Sequence, residues 1–484
     1  MAPDPSILLF NPSCDARESD FWLRLADALK ARGYELVVAG GGPLERVAQW
    51  PLHYGLDAFA DPAFDSSQLP SWQGDRGRVL ERDAFFSGVN GGAGRRDRAI
   101  DVLHSYLASL LCLVQPRLVL MWNGQQAQQL LLSELLGCSH CPSAILERAP
   151  FPGVLYADTD GLMGNASFAR DAINWPDAET QAAWQQWYSD FEQRLVDASQ
   201  TWYRRTDPIP HVNLREHLQV PENARIVLFA AQVDEDTQRL LFSPHFATNR
   251  DAFRWLAAKL APRGDLFLLG KSHPMSSAPG EEYKQSLMGM GAWVDEIPLK
   301  SCLEAADYVA AVNSSVLFEA AVRGKPCLAM GQTLLSERNI FYEMRSPDDV
   351  VTVSRWLARS EFSTRRQSWT EACAWLFAHH FYLLDPKETP PSDRSVGQLA
   401  DQLVAWTANE QPDYSSLTTC ARAVGTLVFD LLQSKRDLAY KHQCLDYELS
   451  AARRELASIR RGLAWRVAGK MHRTLATLFT RQPQ

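Results

Sequence analysis

Between residues 225 and 329, short apolar runs alternate with segments of helical spacing, and this alternation constrains the fold more than any other feature of the chain. Arg225–Ala231 (RIVLFAA), Asp265–Leu269, a short run near Ala292–Val294, Tyr308–Val312 and Lys325–Ala329 read as strands. Asn249–Leu260 reads as a helix, and further helical stretches lie between the later strands. Strands separated by helices pair in parallel, because each crossover returns to the same end of the sheet and does so right-handed. Residues just past the strands then emerge on one carboxyl edge, where such sheets bind ligands. Lys271, His273 and Ser314 fall on that edge in spite of their separation in sequence.

Tyr308–Gly324 (YVAAVNSSVLFEAAVRG) carries the densest local signal. An apolar run stops at Asn313-Ser314-Ser315, and a small/apolar segment continues to Arg323-Gly324 as a helix with a glycine stop. Hydroxyls and free N–H groups at a helix start suit an anion, and they equally suit plain N-capping. Lys271-Ser272-His273-Pro274 tips the reading toward an anion. Lys271 supplies charge, His273 exchanges a proton near neutrality and Pro274 fixes the turn. Together with Ser314 and Ser315 they form a phosphate site, and Glu319, one turn on, is placed to accept from a sugar hydroxyl.

The first half of the chain repeats the alternation. Ser6–Phe10, a helix over Phe21–Arg32 and Tyr34–Ala39 make a β-α-β opening, and the glycines at 40–42 lack the spacing of a dinucleotide fingerprint. Residues 60–100 read as a long irregular excursion whose most flexible part is Asn90–Arg96. A helix over Ala99–Val114, a strand over Leu118–Trp122 and a helix over Gln125–Leu136 follow. Cys112, Cys138, His140 and Cys141 match no structural zinc spacing, so no metal is expected.

In Ala144–Ser167 (AILERAPFPGVLYADTDGLMGNAS), Glu147 ends one strand-like run and Asp158 follows another. That places both carboxylates on one edge of the sheet, and paired carboxylates are what glycosyl transfer uses. An Asx turn at Asp158 and Asp160 accounts for the same residues.

The whole chain of 484 residues has room for two or three domains, and its 46% hydrophobic and 22% charged content are those of a water-soluble globular protein. A net charge of −8 argues against nucleic acid as a general partner. No eighteen-residue apolar run appears, the first residues lack a secretory signal, and nine irregularly spaced cysteines suit reduced thiols, all consistent with a cytoplasmic chain. Beyond residue 350 come Trp-rich helical material and a Pro-rich linker at 385–393. From Leu417 a heptad series (Leu431, Leu438, Leu445, Ala452, Ile459) predicts a long helix with a coiled-coil seam, or one packed on the body. Its end is basic and amphipathic, which suits an anionic membrane surface on the inner side, or equally a homo-oligomer.

These segments together resemble the capsule polysaccharide synthesis family and the related bacterial retaining β-Kdo glycosyltransferases. The matching stretches are WNG at Trp122–Gly124, the ER…DxxG region at Glu147–Gly161, AAQVDED at Ala230–Asp236, KSHP at Lys271–Pro274 and NSSVLFEAAVRGKP at Asn313–Pro326. The resemblance implies an α/β, GT-B-like protein: two Rossmann-like domains facing a cleft (1–210 and 211–350), a helical bracing segment (351–416) and a C-terminal helical extension (417–484). It implies a CMP-Kdo donor, a glycan or glycolipid acceptor, no resident cofactor, and retention through a covalent glycosyl-enzyme. Asp158 is then the candidate nucleophile, two positions from the competing Asp160, and Glu147 the acid/base. Gln232, Lys271, His273, Pro274, Asn313, Ser314, Ser315 and Glu319 would hold the nucleotide, with His273 helping CMP to leave. An inverting CMP-sugar or polyol-phosphate transferase, a nucleotide-sugar 2-epimerase and a non-enzymatic scaffold are the competing readings. Leu317 stands where family members often carry glycine.

Overall fold

A computed structural model describes residues 5–10, 19–40, 48–50, 69, 71–87, 93–197, 213–233, 236–273, 281–287, 289–295, 297–385, 387–392, 395–408, 411–418 and 421. Pro274 and the heptad residues 431–484 lie outside the described residues.

The first half is built from β1 (Ser6–Phe10), α1 (Ser19–Lys30), β2 (Glu35–Ala39), β3 (Ala48–Trp50), α2 (Arg76–Ser87), α3 (Ala93–Val114), β4 (Leu118–Trp122), α4 (Ala127–Ser139), β5 (Ser143–Arg148), β6 (Val154–Asp158) and α5 (Ala178–Asp197). The second follows as α6 (Leu214–His217), β7 (Arg225–Ala230), α7 (Thr237–Phe242), α8 (Asn249–Leu260), β8 (Leu266–Lys271), α9 (Glu281–Ser286) and β9 (Gly291–Val294). It continues through α10 (Leu299–Ala305), β10 (Tyr308–Ala311), α11 (Val316–Val322), β11 (Cys327–Ala329) and β12 (Tyr342–Glu343). Then come α12 (Val350–Leu357), α13 (Phe362–His379), β13 (Phe381–Leu383) and α14 (Val396–Ala405).

Two sheets result, ordered β13-β6-β5-β4-β1-β2-β3 and β12-β11-β10-β7-β8-β9. The second is parallel throughout. Counted from its own first strand it runs 3-2-1-4-5-6, the doubly wound Rossmann order, and the first sheet begins in the same way. Each therefore has a topological switch point, between β7 and β10 in one and between β1 and β4 in the other. The alternation in the sequence is what produces this: the central strands are buried on both faces, as in Ile226–Phe229 and Leu118–Leu120.

Three expectations are corrected. The stretch 60–100 is not wholly irregular, since α2 crosses it and α3 begins at Ala93, six residues earlier than the apolar spacing suggested. Polar Arg95–Arg98 hid that first turn. The segment after 350 is not only helical: Phe381–Leu383 joins the first sheet as an edge strand, antiparallel to β6. Three aromatic and aliphatic residues behind a helix look like more helix until β6 is there to accept their hydrogen bonds.

A continuous core joins the two sheets through α5, α11 and α13. Glu192 of α5 is its main buried charge. It accepts from the Trp369 indole at 2.7 Å and from Arg366 of α13. Arg366 also donates to the Ala321 carbonyl at 2.6 Å, near the end of α11, where the helix dipole favours a cation. Glu192→Ala would leave the indole and guanidinium short of an acceptor. Denaturant unfolding should show a loss of about 2–3 kcal/mol, with Glu192→Gln losing less.

Candidate functional site

The switch point of the second sheet is closed by a reciprocal amide pair. Gln232, just past β7, donates from Nε2 to Asn313 Oδ1 at 2.8 Å, and the Asn313 N–H returns to Gln232 Oε1 at 3.2 Å. Asn249 caps the arrangement by donating to the Gln232 carbonyl at 2.8 Å, and Asn313 Nδ2 reaches the Gln238 carbonyl at 3.0 Å. All three side chains are buried. Gln232 and Asn313, expected to touch nucleotide, thus fix the carboxyl ends of β7 and β10 against each other. Ser314 caps locally, its Oγ accepting from Val316 N at 3.3 Å, while the Ser315 hydroxyl makes no cap. Glu319 is turned into the body of the second sheet, 3.3 Å from Arg323 one turn on.

Lys271 ends β8 with its side chain buried, and its Nζ donates to the Asp295 carbonyl at 2.7 Å. Its charge lies beneath the edge. Next to it Ser272 is held by the Trp293 indole, which donates to Ser272 Oγ at 2.9 Å and to Asp295 Oδ1 at 3.0 Å. Gly270 makes room for that indole: a Cβ there would lie 1.9 Å from the Trp293 ring. Burial, helped by the neighbouring Lys271 charge, lowers the pKa of His273. The imidazole is neutral at pH 7 and offers an N–H rather than a full cation.

On the first sheet the corresponding position follows β4. Asn123 has φ 64° and Gly124 φ 73°, so the chain turns sharply off the strand. A Cβ on Gly124 would meet Ile145 at 2.8 Å. The turn aims Asn123 Nδ2 at Glu147 Oε2, 2.7 Å away, and Glu147 Oε1 accepts from the Arg148 N–H at 2.8 Å. Burial raises the Glu147 pKa, the two hydrogen bonds oppose that, and the Asp236 charge adds to it. Asp236 was not among the expected site residues. It caps α7, accepting from Gln238 N at 2.9 Å, and burial raises its pKa too. The VDED run hid it, because nothing in three consecutive acidic residues says which one turns inward.

Glu147 and Asp158 do not share an edge. β5 and β6 are antiparallel, with Glu147 opposite Tyr156 and Ile145 opposite Asp158, so β6 carries Asp158 away from the carboxyl edge. They share a face instead, as diagonal neighbours about 7–8 Å apart at Cα. Tyr156 lies in the same row, its hydroxyl pKa raised by burial, then by the Glu147 and Asp158 charges. The short Ala149–Gly153 link allows only a hairpin, and that decides the direction.

Asp158 is fully engaged. Its Oδ1 accepts from Asp160 N at 2.8 Å, Gly161 N at 3.0 Å and Ser167 N at 3.0 Å, and its Oδ2 from Ser167 N at 2.9 Å and Ser167 Oγ at 2.6 Å. The carboxylate pins a loop of ten residues whose far side meets the second half of the chain, where Arg338 donates to the Phe168 carbonyl and, at 3.1 Å, to that of Asp171. Asp160 is exposed at the tip of the turn, 3.3 Å from Thr159 Oγ1. Of the cysteines weighed for zinc, Cys141 is buried, its Sγ donating to the Pro116 carbonyl at 3.4 Å and its thiol pushed up to about 11 by burial.

With this geometry in place, comparison with known proteins becomes informative. Residues 179–344 match the family described as capsule polysaccharide biosynthesis protein. The matched stretch holds α5 from its second residue and the whole second sheet with its switch point. No curated protein matches the chain. Among solved structures, KpsC from Thermosulfurimonas dismutans, a beta Kdo 2,7 transferase, aligns over 83% of this chain and 99% of its own with a TM-score of 0.41 and 12% identity. A beta Kdo 2,4 transferase of KpsC aligns over 59% and 86%, with a TM-score of 0.40 and 16% identity. The S. aureus MnaA–UDP structure aligns over 85% and 99%, with a TM-score of 0.35 and 10% identity. The architecture rests on the strand order itself.

Two expectations follow from the carboxylates. Asp158→Asn turns one acceptor into a donor facing N–H groups, so it should cost about 2–3 kcal/mol in thermal or denaturant unfolding, and Ser167→Ala about 1 kcal/mol. Glu147 binds its proton more tightly folded than unfolded, so the wild type loses stability as pH rises from 4.5 through the raised native value. Each such pH unit removes about 1.4 kcal/mol. Glu147→Gln lacks this slope, and its melting temperature relative to wild type should climb between pH 4.5 and pH 8.

Proposed function

We propose that the chain is a glycosyltransferase moving a Kdo-type ulosonic acid from a CMP-sugar to a surface-polysaccharide acceptor. The observation that carries this is Glu147: a buried carboxyl held toward its protonated form, oriented by Asn123 and within electrostatic reach of Asp236, which lies inside the segment matching the capsule family. A carboxyl of that kind is what acid/base catalysis near neutral pH needs.

In the retaining course, an Asp158 oxygen bonds to the anomeric carbon as the bond to the CMP phosphate breaks, and the phosphate keeps the electron pair. The neutral His273 presents an N–H to that phosphate, with the N–H groups at the Ser314-Ser315 turn adding to it. In the first half Glu147 gives its proton to the departing phosphate; in the second, the acceptor hydroxyl attacks the anomeric carbon, the ionised Glu147 takes its proton, and Asp158 leaves as carboxylate. The first step requires Asp158 Oδ2 to release the Ser167 hydroxyl. The five hydrogen bonds on Asp158 therefore favour a second reading, an inverting transfer in which Glu147 acts as base and no adduct forms.

A screen of CMP- and UDP-sugars for hydrolysis separates these from other chemistry: CMP release from CMP-Kdo is expected, and release of a free UDP-sugar epimer without acceptor would make the chain an epimerase instead. With an active donor, Glu147→Gln should lower kcat by about 10²–10⁴-fold. Anomeric NMR of the product together with mass spectrometry of a trapped enzyme then distinguishes the two courses. Retention with an adduct on Asp158 supports the first, and inversion without adduct the second.

A further inference from the structure

Away from the two carboxyl edges, the structure has an open groove of about 430 Å³ lined by Asp171, Ala172, Asn174, Trp375, His379 and His380. That volume falls in the range of small-molecule sites, roughly 300–1,000 Å³. The groove is bounded by residues 171–174, which follow the loop that Asp158 pins, and by the end of α13. Its walls are set in advance. His380 stacks on Phe168 with ring centres 4.6 Å apart and planes 25° apart, and Phe168 follows Ser167, the residue bound to Asp158. Trp375 is fixed between Arg338, 5.1 Å over its ring, and the two imidazoles at 5.5 and 4.7 Å. Arg338 in turn holds the Phe168 and Asp171 carbonyls, so the loop and the helix end move as one piece.

The chemistry of this lining is selective. The exposed His379 and half-buried His380 present imidazole edges, Trp375 is itself buried, and the exposed Asp171 and Asn174 add a carboxylate and an amide. A pyranose has the complementary form, with an apolar C–H face and hydroxyls around its perimeter. An anionic group is disfavoured beside Asp171, and the Arg338 guanidinium is already committed to two carbonyls.

We propose that this groove is a saccharide subsite holding a neutral sugar unit of the acceptor glycan. As an acceptor site it rests on the transferase reading above, while sugar binding itself does not. Fixing the groove through Phe168 and Ser167 ties its position to the Asp158 loop, so an acceptor seated there is registered against the carboxylate face of β5 and β6.

The test is saturation-transfer NMR and calorimetry on the full chain with lactose, maltose and N,N′-diacetylchitobiose and no donor present. At least one disaccharide should bind in the millimolar range. His379→Ala and Asn174→Ala should each weaken it about tenfold or more, and Ala172→Trp, which fills the groove from an exposed position, should abolish it with the melting temperature retained. No binding by any of the three sugars, or equal binding by wild type and Ala172→Trp, would overturn the proposal. A chain that binds a disaccharide in this way but releases CMP from no CMP-sugar would keep the groove and remove the transferase reading.

Discussion

The structure depends on where one side chain, Phe151, is buried. It sits at the turn of the β5–β6 hairpin, and its ring lies 5.3–6.4 Å from Tyr188, Phe191, Phe318, Trp369, Phe377 and Phe381. Those rings come from α5, α11, α13 and β13. One aromatic residue in the first sheet's hairpin thus packs on the helix that leads away from the Ser314-Ser315 turn of the second. Edge-to-face contacts of this kind add about 0.5–1.5 kcal/mol each to the burial of apolar area, and they fix orientation as well. The hairpin that carries Glu147 and Asp158 is held against the second sheet by packing, with the polar Glu192–Arg366 bridge at the margin.

Given that packing, electrostatics follows. Glu147 loses water, gains Asn123 and comes under the influence of Asp236 from the other half of the chain. Both carboxyls shift upward because burial penalises charge and their hydrogen bonds recover only part of it. Asp158, on the same face, has different surroundings: four donor groups make five hydrogen bonds to its two oxygens. Two carboxylates on neighbouring strands thus sit in different surroundings, one buried and held toward its protonated form and one tying down a loop. The same loop carries Phe168 to His380, so the groove beside Trp375 inherits its position from the Asp158 hydrogen bonds.

Much of this was legible in the residues. The strand runs at 225–230 and 308–311, the helix at 249–260 and the meeting of Lys271, His273 and Ser314 on one edge follow from local patterning, since parallel crossovers leave few topologies. The roles on that edge were harder to read. Gln232 and Asn313 were expected at the nucleotide from the family resemblance, and their side chains are hydrogen-bonded to each other. Lys271 looked like a free charge and is turned to a backbone carbonyl. The joint edge expected for Glu147 and Asp158 failed because strand direction depends on the partner, and the hairpin reversed it. Asp236 stayed hidden among three consecutive acidic residues, since inward and outward positions in a loop have no period.

The sequence by itself determined the two α/β sheets, their parallel centres and the meeting of Lys271, His273 and Ser314 on one edge, because periodicity and chain connectivity act over a few residues at a time. Only the tertiary structure decided which carboxyl is pushed toward its protonated form, which amides are spent on each other and which strand runs backward. Those depend on desolvation and on partners 81 residues apart for Gln232 and Asn313 and 177 for Glu192 and Trp369. Burial and long-range pairing are properties of the packed chain, and no local pattern encodes them.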